Sequence, residues 1–170
     1  ASPNLAVKPI GLQLNGCSEF TLSGFHISGN CSVGLSLNTY FIGAVEDFDV
    51  AYNDVGIDIH VNSAIPDPNN PAYPSVSTCE SIWFSNFNIF DSEDAVRIRN
   101  TAHNIVFRDG WMEWANNFFH IVQQTDIGII VNIKLYDVIT SSDAPQPIVP
   151  KYDDSRFLRC RAFDTGSEPL

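Results

Sequence analysis

Positive charge is scarce in this chain. Nine Lys and Arg stand against twenty Asp and Glu, a formal net charge of −11 with the four His neutral. Nucleic acid and anionic membrane surfaces are therefore poor partners, and neither binding to nucleic acid nor insertion into a membrane is expected. No apolar run reaches the roughly 18 residues of a transmembrane helix. No basic, hydrophobic leader opens the chain. Cysteine is sparse as well. Cys17, Cys31, Cys79 and Cys160 form no Cys-x-x-Cys pair, and no His-rich spacing accompanies them. No metal site and no cofactor are read from them. Cys17 and Cys79 take the same slot of the repeat described below, two units apart, roughly 10 Å at one strand spacing per unit, which is too far for a disulfide. The cysteines are expected to be small packing residues.

What is present is one domain. The 170 residues are 44% hydrophobic and 17% charged, a globular composition. The main organising feature is a repeat. GLQL (11–14), GLSL (34–37), GIDI (56–59), AVRI (95–98) and FFHI (118–121) recur at steps of 23, 22, 39 and 23 residues. A second phrase, apolar-x-x-apolar-x-apolar, follows each: Leu22/Phe25/Ile27, Val45/Phe48/Val50, Phe84/Phe87/Ile89, Phe107/Gly110/Met112 and Ile130/Ile133/Leu135. Self-similarity at this period marks a stacked solenoid. Three short β-stretches joined by turns make each unit one coil of a parallel β-helix, so the expected fold is all-β with about five coils over residues 1–140.

Alternation along a strand assigns the faces. Leu12/Leu14, Leu35/Leu37, Ile57/Ile59, Val96/Ile98 and Phe119/Ile121 point inward. A two-residue corner follows the second strand at Ser23-Gly24, Glu46-Asp47, Ser85-Asn86, Arg108-Asp109 and Val131-Asn132, where Gly, Asn and Asp suit a left-handed backbone. The step of 39 holds an insertion, residues 62–78, whose four prolines and three asparagines predict a loop rather than a strand. Residues 141–170 read as a Pro- and Asp-rich connector, then RFLRCRAF (156–163) as either a further strand or a cap. Open solenoid ends need covering, and no amphipathic N-terminal helix is present to do it. With Ala1 as the first residue, this predicts a piece of a longer chain or a subunit of a closed oligomer, a homotrimer.

The outward positions of the first strand form two polar columns. One is Gln13, Ser36, Asp58, Arg97 and His120; the other is Asn15, Asn38, His60, Arg99 and Val122. Asp58 and Arg97 fall about 5 Å apart on neighbouring coils, near enough to pair. The flanking turn adds Asp54, Asp91, Glu93, Asp94, Asn116 and Asn117. A polar face walled by loops is a plausible oligosaccharide groove. Glycoside hydrolysis needs two carboxyl groups, and Asp54 and Glu93 share a turn slot with Asp94 beside them, so these three are candidate catalytic carboxylates. A lyase needs a base and a cation, which Arg97, Arg99 and His120 could supply. The same charges can also be a solvated face that pairs internally. Asp58, His60, Arg97, Arg99 and His120 are the candidate substrate-binding residues, joined by Trp111 and Trp114. These rings, like Trp83, stack on sugars or build oligomer interfaces.

These repeats and corners resemble the pectate-lyase-like right-handed parallel β-helix superfamily over about residues 10–140. NDVGIDI (53–59) followed by SEDAVRI (92–98) looks like the paired Asp motifs of polygalacturonase-type hydrolases, with Glu93-Asp94 at the Asp-Asp pair. Val55 stands where that family carries a catalytic Asp, and no Gly-His-Gly follows, which argues against a working polygalacturonase. FRDGWMEWANNFFHI (107–121) is more similar to coils of bacteriophage tailspikes. That resemblance implies a right-handed helix and a trimer at the virion or outside the cell. It also implies recognition, with or without hydrolysis, of a bacterial surface polysaccharide, and a catalytic role for Glu113. The rival expectation is a non-enzymatic structural β-helix of a virion or appendage; a polygalacturonase- or pectate-lyase-like enzyme is the lesser one.

Overall fold

The structure, a computed structural model, describes residues 7–60, 66–67, 70–74, 79–99, 102–122, 130–142 and 160–164. All regular structure among them is β: β1 (Ile10–Ser28), β2 (Val33–His60), β3 (Pro66–Asp67), β4 (Asn70–Pro74), β5 (Cys79–Arg99), β6 (Ala102–Val122), β7 (Ile130–Ser142) and β8 (Cys160–Asp164). Six of these form one all-parallel sheet in the order β1-β2-β5-β6-β7-β8. This arrangement is compatible with a β-helix.

The long strands are not straight. The 28 residues of β2 would span roughly 90 Å if extended. They bend instead at residues in the left-handed region, spaced five apart: Ile42, Asp47 and Tyr52 in β2, Ser81, Asn86 and Asp91 in β5, Asn104, Asp109 and Trp114 in β6. Equivalent bends in neighbouring strands lie side by side in register. The middle column, at Gly24, Asp47, Asn86 and Asp109, is the predicted corner. The other two columns escaped the sequence reading because Ile42, Tyr52, Ser81 and Trp114 lack the Gly/Asn/Asp pattern. Such residues enter this region at a cost of about 1–2 kcal/mol each, offset by the packing on either side.

Two expectations need correction. The predicted corner column continues at Tyr136-Asp137, opposite Arg108-Asp109, where Asp137 has φ 50°; Val131-Asn132 falls instead one bend earlier, with Val131 opposite His103. Phe107 pairs with Leu135 and Gly110 with Val138. Ile130/Ile133/Leu135 therefore continue the Ala102/Ile105/Phe107 positions, five residues away from the expected register. Burial explains the shift, since it leaves Ile133, Leu135 and Val138 all fully enclosed. Within the insertion 62–78, Pro66–Asp67 and Asn70–Pro74 pair as an antiparallel ribbon rather than a plain loop; the rest of that segment, and the connector 143–159, lie outside the described residues. Cys160–Asp164 pairs with β7 as the sixth strand.

The interior follows the predicted columns. Leu12 pairs with Leu35, and Ile57 with Val96 and Val96 with Phe119. All but Leu12, on the edge strand, are essentially inaccessible. Aromatic rings fill a second column: Phe25 stacks on Phe48 at 5.2 Å and Phe48 on Phe87 at 5.6 Å. Phe87 then lies over Gly110, where an added Cβ would meet its ring at 2.1 Å. That contact is why the fourth member of an otherwise aromatic column is glycine. Cys17 is half-buried and Cys31 buried, both unpaired; the side chains of Cys79 and Cys160 lie outside the described residues.

Candidate functional site

The first-strand sections of β2, β5 and β6 run side by side, with Asp58 opposite Arg97 and Arg97 opposite His120. Three residues earlier, Val55, Asp94 and Asn117 form a parallel row. Gly56 lets these sections approach, since a Cβ there would meet the Ala95 carbonyl oxygen at 2.6 Å. Inward neighbours Ile57, Ile59, Val96 and Ile98 are fully buried, so the backbone that carries the polar row is anchored by the core.

The sequence places these polar residues on an outward face, which the structure refines. Ser36, Asn38, Asp58, His60 and Asp94 are buried, with Asp58 only 1% exposed. Of these, Ser36, Asp58, His60 and Asp94 form the floor of a groove of about 690 Å³ rather than an open surface. Its walls include Asp54, Glu93, Arg97, Arg99, Asn117 and His120.

Two carboxylates organise the floor. Asp58 accepts from Arg97 Nε and Arg99 Nε, each at 3.0 Å, and its second oxygen meets Arg99 Nη2. Burial alone would push the Asp58 carboxyl up, but the hydrogen bonds and charges of Arg97 and Arg99 outweigh it and hold the group below the usual carboxylate range. Asp94 accepts from Asn117 Nδ2 at 2.9 Å on one oxygen and from His120 Nδ1 at 2.9 Å on the other. Asp94 is 8% exposed at the side chain and His120 43%, so a buried carboxylate orients a half-exposed imidazole.

Ser36, His60 and Asp58 are the residue types of a hydrolytic triad, but their geometry is not one. Ser36 Oγ lies 3.1 Å from His60 Nε2, and Asp58 Oδ2 lies 3.8 Å from that same nitrogen. A triad needs the acid and the nucleophile on opposite ring nitrogens.

The groove gathers eight of the residues proposed from sequence: Asp54, Asp58, His60, Glu93, Asp94, Arg97, Arg99 and His120. Trp114 stands apart, in a shallower depression with Tyr52 and Asp91 that shares Asp54 and Glu93 with the groove. Trp111 and Glu113 are on the third-strand face, opposite Asn88 and Phe90, and are not brought to the groove. Asp54 binds Lys8 at the rim, a partner the repeat pattern does not reveal. Asn117, read only as a flanking turn residue, proves to hold Asp94; its place in register opposite Asp94 was the available clue. No cluster of three or more His, Cys, Asp and Glu side chains suited to a metal ion is present among the described residues.

Comparison of the chain with family models, with curated proteins and with solved structures finds no match.

Proposed function

We propose that the chain is a right-handed parallel β-helix of about five coils, of the bacteriophage tailspike kind, and that its groove binds a bacterial surface polysaccharide. The observation that carries this reading is the groove floor. Asp58 holds two guanidinium groups in place from below, each still about a quarter exposed, within a cavity of about 690 Å³. That volume lies in the range of small-molecule sites. Fixed forks of N–H donors suit hydroxyl-rich ligands, since their rotamer freedom is already spent against the carboxylate. Trp114 and Tyr52 at the neighbouring depression offer exposed rings on which a further sugar could stack. The location, at a virion or outside the cell, and the trimer belong to the same proposal.

The test is titration of the protein with a panel of bacterial surface polysaccharides, followed by assay for new reducing ends. Binding that falls at least tenfold in Arg97→Ala supports the reading, and reducing ends add hydrolysis to it. Neither binding nor cleavage across the panel supports the rival reading, a non-enzymatic structural spacer. A trimer is checked by sedimentation, where a stable monomer of the whole protein contradicts it.

A further inference from the structure

We propose that His120 is a general base that delivers water to an O-acyl ester on a neutral glycan, with Asp94 as its positioning residue and Arg97 as the oxyanion donor. This rests on the reading of the groove as a glycan site. Asp94 has both oxygens occupied, by Asn117 and by His120, so it is placed to orient and not to exchange a proton with a sugar. An ionised carboxylate only accepts, so Nδ1 of His120 carries the hydrogen. In the neutral form of the ring the lone pair is then on Nε2, for which no partner occurs among the described residues, and the ring lines the groove. Arg97 is the register neighbour of His120 and spends Nε on Asp58, which leaves its terminal N–H groups for a ligand.

The pair of carboxylates that glycoside hydrolysis requires is not free here. Asp58 and Asp94 are buried and fully engaged and Asp54 is bound by Lys8, which leaves Glu93 as a single carboxylate on the groove wall and not a pair. A base beside a cation remains, and charge selects its substrate. Four carboxylates and two guanidinium groups line the groove. A uronate would add to the excess of negative charge, whereas a neutral ester does not.

The reaction balances with water alone. Nε2 takes a proton as the water oxygen bonds to the acyl carbon, and the carbonyl electrons move to an oxygen facing Arg97. The bond from the acyl carbon to the sugar oxygen then breaks, and the imidazolium returns its proton to that oxygen. The products are the carboxylic acid and a free hydroxyl.

The experiment measures hydrolysis of 4-nitrophenyl acetate, then acetate release from an O-acetylated bacterial polysaccharide, by the full protein and by His120→Gln and Asp94→Asn. The expected result is a kcat lower by about 10²–10⁴-fold in His120→Gln with an unchanged melting temperature. Asp94→Asn should lower kcat with KM retained, because the amide loses the charge that stabilises the imidazolium and can present an N–H to Nδ1, which selects the other tautomer. Equal rates for wild type and His120→Gln on 4-nitrophenyl acetate overturn the proposal. Polysaccharide binding with reducing ends or unsaturated sugars in place of acetate also overturns it while leaving the glycan reading intact. Absence of binding to acetylated and de-acetylated polysaccharide alike defeats the glycan reading itself.

Discussion

The two faces of one strand section, residues 56–60 of β2, are both buried, and by opposite chemistry. Ile57 and Ile59 are enclosed by other apolar side chains, while Asp58 is enclosed by Arg97 and Arg99. The apolar face gains from any well-packed hydrophobe of the right size. The polar face is stable only while its partners are complete, because a buried charge that loses its counter-ion is strongly unfavourable. A core that needed only stability would not carry that vulnerability beside an open groove, which is why the polar face reads as a site.

Truncations on the two faces should therefore differ in kind. Phe107→Ala removes a ring stacked on Phe84 at 4.6 Å and set edge-on to Phe87 and Phe119. It should destabilise the fold by about 4 kcal/mol at every pH, read by denaturant unfolding. Asp58→Ala should cost about 3 kcal/mol near neutral pH, the low end for a broken buried pair, since both arginines keep roughly a quarter of their side chains exposed. Acid should separate the two. The carboxyl of Asp58 is lowered in the folded state, so its contribution is fully present above the unfolded value of about 4 and is lost as pH falls through the folded one. Stability measured between neutral pH and pH about 2 should show that loss in wild type and in Phe107→Ala, and a smaller loss in Asp58→Asn. An acid profile for Asp58→Asn superimposable on wild type would mean that Asp58 is not the group responsible.

Smaller effects sharpen the picture. Gly110→Ala should cost about 2 kcal/mol, because the new methyl group overlaps the ring of Phe87; relief of that cost in Gly110→Ala/Phe87→Leu would confirm the contact in a double-mutant cycle. Trp111→Ala, at a ring that is 43% exposed, should change stability by no more than about 0.5 kcal/mol. A larger loss would place Trp111 in a packed interface of an assembly.

Legibility followed the same division between faces. The inward columns were readable because strand alternation and a 23-residue step fix them together, and Leu35, Ile57, Val96 and Phe119 are buried where the pattern puts them. The pairing of Asp58 with Arg97 followed from register alone. Arg99 on the same carboxylate, and the diagonal from Asp94 to His120, did not, because register gives rows of backbone and not the lean of side chains across them. The burial of Asp58 was missed for a related reason: an outward position is open only if its neighbours are short, and here they are arginines and histidines. The register after residue 122 was missed because Ile130, Ile133 and Leu135 satisfy the apolar spacing in two places, and the pairing of Leu135 with Phe107 and the burial of Val138 decide between them.

The central claim is that the row Asp58, Arg97 and His120 is a ligand site and not merely a paired polar face. The most direct measurement is a crystal structure of the protein soaked with oligosaccharides prepared from bacterial surface polysaccharide. The expected result is a sugar in the groove, with a hydroxyl or acyl oxygen within hydrogen-bond distance of the terminal nitrogens of Arg97 and of His120 Nε2. A sugar bound instead over Trp83 or Trp111, with the groove holding only water, would contradict the claim.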